Sequence, residues 1–357
     1  MIEFSQLLKD SVEKKASDIF IMPGLALSVK VDGVIKAVNA EMLKPDDTMR
    51  IISEAYELAK RSSDNLAQKG DDDFSVSLPG VSRFRICSFM QRGSWAAVIR
   101  IVPFDIPSFK EFNIPESVMA ISQKTKGLVL VTGPAGGGKS TTLACVIDRI
   151  NKERNGHIIT LEEPIEYLHR NGKSIITQRE VRADTEGYVT ALRAALRQSP
   201  DVILVGEMRD YETISTALTA AETGHLVIST LHSIGAANTV NRIIDAFPSS
   251  QQKQIRVQLA QLLQSVVSQK LLPAKESRGG LVPAFEIMHC NTAIRNMIRE
   301  NKVHQIDTVI NASCESTGMI GMDAAILSMY KSGLITKETV FAFAETPELI
   351  ERKLKEG

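Results

Sequence analysis

The sequence predicts an α/β protein of two domains, in which a small α+β domain precedes a larger domain with a doubly wound, mostly parallel sheet. Three observations support this prediction. The chain has 357 residues, and because ordinary domains hold roughly 100–200 residues, two domains are expected. Its first part contains short β-rich runs separated by turns, which is typical of an antiparallel sheet. From residue 127 onward, strands and helices alternate over short connections, which favours parallel strands.

The predicted first domain begins with an amphipathic helix over residues 2–15, where apolar residues recur at helical spacing. A turn is predicted at Asp32-Gly33, and charged helices are predicted within 45–69. The predicted strands of this domain cover 17–21, 26–31, 73–78, 83–91 and 95–102. Three prolines within 103–115 indicate a connector. The predicted boundaries are 1–103 for the first domain, 104–117 for the linker and 118–357 for the second domain.

The predicted second domain opens with a buried strand, followed by a glycine-rich loop and a helix. Its predicted strands are 127–132, 157–161, 202–205 and 226–230, and its predicted helices are 140–151, 188–198 and 211–222. Beyond Pro248 the pattern is mainly helical. We expect one hairpin there, formed by 269–272 and 281–287, and four or five short helices within 291–355.

Composition excludes several classes of protein. A chain with 43% hydrophobic and 24% charged residues is neither disordered nor dominated by repeats. Lys+Arg and Asp+Glu both number 42, so the formal net charge is zero. Proteins that coat nucleic acid are usually basic, because their affinity comes from neutralising phosphates. With aromatic residues at only 5%, base-stacking platforms are also scarce, and we expect no nucleic-acid partner.

The cysteines and the apolar runs suggest a cellular location. Cys87, Cys145, Cys290 and Cys314 are widely spaced and form no CxxC pair, which argues against a zinc site or a disulfide framework. Reduced thiols of a cytosolic protein are expected. The sequence shows no signal-peptide pattern and no run of 18 apolar residues. We therefore expect a cytoplasmic protein that meets a membrane only through a partner.

A phosphate-binding loop is the strongest motif. Residues 133–140, Gly-Pro-Ala-Gly-Gly-Gly-Lys-Ser, fit the pattern G-x-x-x-x-G-K-[ST] between a strand and a helix. Glycines let the backbone N–H groups surround phosphate oxygens, and the helix adds its positive end. Lys139 is expected to reach the β- and γ-phosphates, and Ser140 to ligate Mg²⁺. ATP and Mg²⁺ are the expected cofactors, and the candidate ATP-binding residues are Gly133, Pro134, Ala135, Gly136, Gly137, Gly138, Lys139, Ser140 and Thr141.

Carboxylates follow two of the other predicted strands. Glu207 comes after four apolar residues and Gly206, where it could hold a magnesium-bound water or polarise an attacking water. The alternative is a capping or ion-paired glutamate. Glu162, Glu163 and Glu166 follow the second strand, at the edge where ligands bind in parallel sheets. The alternative for this cluster is a solvated loop.

Histidines and arginines are weaker candidates. His225 and His232 flank the fourth strand and are too far apart for a helical metal pair. They could orient a γ-phosphate, as could Thr230, or they could be structural. Arginine pairs at i, i+4, Arg193 with Arg197 and Arg295 with Arg299, could bind anions or lie on a surface. Arg83, Arg85 and Arg100 alternate along predicted strands of the first domain. They could complete a phosphate site, because in many enzymes arginines of a neighbouring domain do so.

Taken together, these motifs resemble the type IV pilus retraction ATPases (the PilT family) within the larger family of secretion and pilus assembly ATPases. The resemblance rests on ITLEEPIEYLHR, SPDVILVGEMRD, TALTAAETGHLVISTLHS and TAIRNMIRE, and on the opening LLKDSVEKKASDIFI, so that it covers essentially the whole chain. Departures are conservative: Ala135 and Gly137 replace the usual Thr and Ser, Glu163 replaces Asp, and Met297 replaces Leu.

The resemblance implies a RecA-like P-loop ATPase domain preceded by a PAS-like domain. It implies a cytoplasmic homohexamer that hydrolyses ATP and powers pilus retraction, and thus twitching motility, by driving pilus disassembly. Its expected partners are an inner-membrane pilus platform protein and a paralogous pilus ATPase. The implied residue roles are catalysis for Glu207, Glu163 and Lys139, sensing for His225 and His232, and phosphate contact for Arg85 and Arg100.

The motifs also bear on other possible functions. Extension motors and type II secretion ATPases usually carry a tetracysteine zinc element and a longer N-terminal region, and the sequence shows neither. An accessory, PilU-like retraction paralogue shares the motifs and stays open. A ring component that binds ATP without turnover is disfavoured by Lys139, Ser140 and Glu207. A DNA-translocating ATPase is disfavoured by the zero net charge.

Overall fold

The computed structural model describes residues 3–31, 33–102, 106–276, 280–312 and 317–356. The chain divides into two compact units: Met1–Asp105 with Ile165–Leu168, and Ile106–Pro164 with His169–Gly357. Asp32 of the predicted turn, Cys314 and residues 103–105 of the predicted connector lie outside the described residues.

The first unit contains three helices and six strands among its described residues. The helices are α1 (Phe4–Glu13), α2 (Pro45–Leu58) and α3 (Asp64–Lys69). The strands are β1 (Asp18–Ile21), β2 (Ala26–Val31), β3 (Val34–Met42), β4 (Asp71–Leu78), β5 (Ser82–Gln91) and β6 (Ser94–Val102). They form one antiparallel sheet in the order β3-β2-β1-β6-β5-β4.

Buried and more exposed residues alternate along strands such as β4 and β5, so the sheet has an apolar face and a polar face. Ile19, Phe84 and Ile99 are fully buried and pack with Leu8 of α1 and Ile52 of α2. Strand β3 was not predicted from the sequence. Among the described strands it pairs only with β2, at the edge of the sheet, and it is almost wholly exposed, so no hydrophobic alternation marks it.

The second unit carries a seven-stranded sheet and the remaining helices. Its strands are β7 (Gly127–Thr132), β8 (His157–Glu162), β9 (Ile175–Glu180), β10 (Val202–Val205), β11 (Leu226–Leu231), β12 (Leu263–Pro273) and β13 (Leu281–His289). The described helices are α4 (Glu116–Met119), α5 (Lys139–Glu153), α6 (Tyr188–Ala195), α7 (Tyr211–Glu222), α8 (Ala236–Asp245), α9 (Ser249–Leu262), α10 (Thr292–Arg299), α11 (Ile306–Ala312), α12 (Met322–Lys331), α13 (Lys337–Phe343) and α14 (Pro347–Glu356), with 3₁₀ turns at Ala120–Gln123 and Val303–Gln305.

The sheet order is β13-β12-β7-β11-β10-β8-β9, and every pairing except β12–β13 is parallel. Strands β7, β10 and β11 are buried along their whole length, with helices packed on both faces. The predicted doubly wound α/β fold is therefore confirmed. Strand β9 was missed because it lies at an edge and is only half-buried. The hairpin strands β12 and β13 are also longer than predicted.

The helix α10 packs through its apolar residues, as the sequence indicated. Ile294 and Ile298 are completely buried, and Met297 packs partly against the same core. Arg295 serves its own chain: its Nη1 donates hydrogen bonds to the carbonyls of Ala260 and Gln261, at 2.6 and 2.8 Å, in the last turn of α9. Arg295 is thus bound to the backbone of its own chain.

No helix in the parts of the chain that the structure describes is long and apolar enough to cross a membrane.

Replacement of Ile298 by Ala is expected to lower the free energy of unfolding by about 3 kcal/mol, because it leaves a cavity in a fully buried contact. Urea denaturation followed by circular dichroism measures this change. Arg299→Ala, an exposed change on the same helix, is the control and should be nearly neutral. Equal stability of the two variants would contradict the packing described for α10.

Candidate nucleotide site

The phosphate loop connects β7 to α5 at the carboxyl edge of the parallel sheet. Gly133 and Gly138 have φ angles of 138° and 80°, which side chains rarely permit. A Cβ on Gly133 would lie 2.1 Å from the carbonyl oxygen of Gln269, so glycine is obligatory there. The loop residues Pro134, Ala135 and Gly136 are exposed. The backbone thus forms an open concave turn at the N-terminus of α5, which suits a phosphate group.

Lys139 is the first residue of α5, and its side chain is buried. Its Nζ donates hydrogen bonds to the carbonyls of Gly133 and Pro134, at 2.9 and 2.8 Å, so the ammonium group lies over the loop. Ser140 and Thr141 follow on the first turn and are partly buried. A bound phosphate would meet one cation and the N–H groups of the helix terminus, and the residues present fit a nucleotide.

Gln269 on β12 supports the phosphate loop, and sequence analysis missed this residue. It is buried, and its Oε1 accepts a hydrogen bond of 2.7 Å from Thr142 Oγ1 on α5. Its backbone oxygen borders Gly133 and Gly137, and its amide nitrogen borders Gly138. Only the pairing of β12 beside β7 brings Gln269 to the loop and to Thr142, which is 127 residues away in sequence. No local pattern marks Gln269, because β12 also contains Gln264, Ser265, Ser268 and Lys270.

Glu207 follows β10 at the same edge of the sheet. Its Oε1 lies 3.0 Å from Nε2 of His232 and 2.5 Å from Nε of Arg209. Thr230 Oγ1 donates a hydrogen bond of 2.6 Å to the carbonyl of Gly206, which holds the backbone next to Glu207. The structure therefore brings Glu207, His232 and Thr230 together. An open cavity of about 960 Å³ lies beside them, lined among others by Asn238.

The acidic cluster after β8 lies next to Glu207 in the strand register. Glu162 accepts hydrogen bonds from Thr160 and Gln178, at 2.6 and 3.2 Å. Glu163 forms an ion pair with Arg182, with 2.8 Å between Oε1 and Nε. Both carboxylates thus have protein partners rather than facing water alone.

Tyr188, at the start of α6, is a second residue that sequence analysis missed. Burial raises the pKa of its hydroxyl, and the charges of Glu163, Glu207 and Glu162 raise it further. The hydroxyl oxygen would lie 3.0 Å from a Cβ placed on Gly206. Tyr188 is therefore a neutral hydroxyl among the three carboxylates, and its ring packs on the core.

The structure does not bring His225 to this edge. His225 precedes β11, so a strand of six residues, roughly 20 Å long, separates it from His232. Its Nδ1 lies 2.9 Å from the carbonyl of Ala220 and 3.1 Å from Oγ1 of Thr223, at the end of α7. Within this chain, His225 therefore contacts the C-terminal end of α7.

Arg85 and Arg100 lie side by side in the first unit, because they are directly paired across β5 and β6. Arg100 Nε is 3.1 Å from Asp18 Oδ1, and Arg85 Nη2 is 3.9 Å from Asp73 Oδ2. Both side chains remain substantially exposed, at 42% for Arg85 and 70% for Arg100. Each arginine of the pair thus has an aspartate partner in the same sheet.

The chain belongs to the family of type II/IV secretion system proteins, whose family model matches residues 2–338. The PilT protein of Pseudomonas aeruginosa, named a type IV pilus retraction ATPase, is 42% identical over 347 residues, which span 97% of this chain and 99% of that protein. The PilU protein of the same organism, named a type IV pilus ATPase, is 36% identical over 356 residues, covering 100% of this chain and 92% of that protein.

A solved structure supports the same relationship. A crystal structure of the pilus retraction motor PilT with bound ADP matches with a TM-score of 0.88 and 45% sequence identity, covering 99% of this chain and all of that chain. The resemblance to pilus retraction ATPases is thereby confirmed. So is the two-domain architecture, in which a RecA-like P-loop ATPase domain follows a smaller PAS-like domain.

Replacement of Gln269 by Leu is expected to weaken ATP binding about tenfold, because it removes the hydrogen bond to Thr142 and the amide beside Gly138 while keeping a similar volume. Titration with a fluorescent ATP analogue measures the affinity. Gln264→Leu is the matched control. Gln264 also lies on β12, but it borders Gly127 at the start of β7, far from the phosphate loop. If both variants bind ATP equally, Gln269 does not support the loop.

Proposed function

We propose that this protein is an ATP-hydrolysing motor that powers type IV pilus retraction by driving pilus disassembly. One observation carries the proposal: the phosphate loop with Lys139 and the pair Glu207–His232 lie at one edge of a single, mostly parallel sheet. The near full-length likeness to proteins named as pilus retraction ATPases supports the pilus as the system that it serves.

The proposed roles follow from the charges of the side chains. The loop residues 133–141 bind the nucleotide phosphates, and Lys139 neutralises charge on the β- and γ-phosphates. Glu207 is the proposed catalytic carboxylate, which accepts hydrogen bonds from the attacking water. His232, within 3.0 Å of Glu207, senses whether the γ-phosphate is present. In the acidic cluster, Glu163 is the proposed catalytic partner of Glu207.

Mg²⁺ is the proposed metal, with the Ser140 hydroxyl as its protein ligand. When bound, Mg²⁺ would reduce the negative charge on the phosphate oxygens. The position of Ser140 on the first turn of α5, immediately after Lys139, supports this assignment.

The proposed assembly is a cytoplasmic homohexamer that acts through an inner-membrane pilus platform protein. The proposed functional boundaries are 1–103 for the PAS-like domain, 104–117 for the linker and 118–357 for the ATPase domain. Loss of the γ-phosphate would release the contacts of the loop and of His232. Repeated around six subunits, a conformational switch biased by that loss would turn the platform stepwise.

An accessory role beside a paralogous pilus ATPase is the second candidate function, favoured by the 36% identity to PilU over the whole chain. A primary motor and an accessory motor differ in what they do alone. A strain that expresses this chain as its only retraction ATPase retracts pili and shows twitching motility in the first case. In the second case it does neither until the paralogue is restored.

Glu207→Gln is expected to lower the rate of Mg²⁺-dependent ATP hydrolysis by about 10²–10⁴-fold, because it removes the proposed base. ATP affinity should change little, because the phosphate loop is intact. A coupled phosphate-release assay measures turnover, and mass photometry of the same samples measures the oligomer. A native hexamer that binds ATP without turnover would contradict the motor and favour an accessory or structural ring.

Arg85→Ala and Arg100→Ala are each expected to reduce ATP turnover about tenfold or more, because each removes a cation proposed to contact the phosphates. The same release assay measures the effect. Arg50→Ala removes an arginine that pairs with Glu54 on α2 and is the matched control in the same domain. If all three variants behave like the native protein, Arg85 and Arg100 do not contact phosphate.

A further inference from the structure

A buried carboxylate lies on the hairpin beside the phosphate-loop strand. Glu286 of β13 has a relative exposure of 5%, and its Oε1 accepts a hydrogen bond of 2.6 Å from the backbone N–H of Ala236. The backbone N–H of Met322 also lies near this carboxylate and acts to lower its pKa. Ala236 and Met322 are the first residues of α8 and α12, so one carboxylate caps the positive end of α8 and lies near that of α12.

A side chain of the neighbouring strand β12 also binds the start of α8. Ser268 of β12 is directly paired with Glu286, and its Oγ accepts a hydrogen bond of 3.0 Å from the N–H of Gly235. Gly235 has a φ angle of 85° and is the residue that caps α8. Two consecutive N–H groups at the start of α8 are therefore held by side chains from both strands of the hairpin.

The start of α8 is close in sequence to the nucleotide site. Only Ser233 and Ile234 separate His232 from Gly235. Ser233 is itself tied to α8 by a contact of 2.8 Å between its Oγ and Oγ1 of Thr239. Because so short a segment has little freedom, the position of α8 sets where His232 can lie relative to Glu207.

We propose that Glu286 is a positioning residue for ATP hydrolysis, which acts by holding the start of α8 and so keeping His232 against Glu207. The inference rests on the proposed ATPase function. The same carboxylate lies near the start of α12, which packs with β12 and β13 in the C-terminal core through Met322 and Ile326. Glu286 therefore links the nucleotide site to the C-terminal helices.

The charge of Glu286 matters, because only an ionised carboxylate accepts hydrogen bonds on both oxygens without donating one. Burial, with smaller contributions from the charges of Glu345 and Asp307, raises the pKa of Glu286 to about 7. Nearby, Lys270 is paired with Glu345, and Asp323 of α12 accepts the N–H of Glu345. ATP turnover of the native protein is therefore expected to rise with pH through about 7.

Glu286→Gln tests the proposal in the full-length protein, with turnover and ATP affinity measured between pH 6 and pH 8.5. The amide can accept from one N–H group but presents an NH₂ group to the other. We expect kcat at pH 8 to fall about tenfold, ATP affinity to stay within about twofold because the loop is untouched, and the rise in turnover through about pH 7 to disappear.

Thermal melting separates positioning from a structural role. The pKa of Glu286 is raised in the folded protein, so this residue lowers stability as pH rises from its ordinary range through about 7. Glu286→Gln cannot ionise, so its melting temperature at pH 8 should equal or exceed that of the native protein. A loss of turnover together with lower ATP affinity and a lower melting temperature would overturn the proposal.

Two further variants complete the test. Ser268→Ala removes the second acceptor at α8 and should also lower kcat without changing ATP affinity, which tests the proposal even if Glu286→Gln does not fold. Glu338→Gln removes an exposed carboxylate from α13 and should leave all values unchanged. If the native protein hydrolyses ATP and the Glu286 and Ser268 variants have the same kcat, the positioning role is overturned and the ATPase function is not. A native protein without turnover overturns the proposed ATPase function.

Discussion

The nucleotide site depends on the parallel pairing of four buried strands. Because β7, β11, β10 and β8 run in the same direction and in register, their carboxyl ends meet at one edge. The phosphate loop, His232, Glu207 and the acidic cluster each follow the end of one of these strands. A single strand reversed would carry its polar residue about 20 Å away, as the position of His225 illustrates. Hydrophobic burial of the strand interiors therefore sets the geometry of the polar site.

The hairpin β12–β13 extends the sheet and supports the site from the side. Gln269 faces the phosphate loop and α5, whereas Ser268 and Glu286 face the start of α8. Adjacent residues on a strand point to opposite faces, so one short segment reaches both the loop that binds phosphate and the loop that carries His232. Because buried polar side chains stabilise a structure only when they are hydrogen-bonded, these contacts also favour one arrangement of the hairpin over others.

Much of the fold was predictable because hydrophobic periodicity and turn residues are local signals. The buried strands of the second unit and the helices α5 and α7 were placed closely, since each has apolar residues at regular spacing. The edge strands β3 and β9 were not, because exposed or half-buried strands need no such spacing. In the site, motif residues were predictable, whereas Gln269 and Tyr188 were not. Their contacts depend on chain segments distant in sequence.

The sequence by itself determined the phosphate loop, the strand that precedes it and the carboxylate after β10. Each of these features depends on a few contiguous residues whose conformation or chemistry is distinctive. It also determined the family, because the motifs extend over nearly the whole chain. Only the tertiary structure decided which polar groups meet. The contact between His232 and Glu207 joins residues 25 positions apart, and the hydrogen bond from Ala236 to Glu286 joins residues 50 apart. Such contacts arise from strand order and helix packing, which minimise exposed apolar surface over the whole domain. No short sequence pattern therefore encodes these contacts.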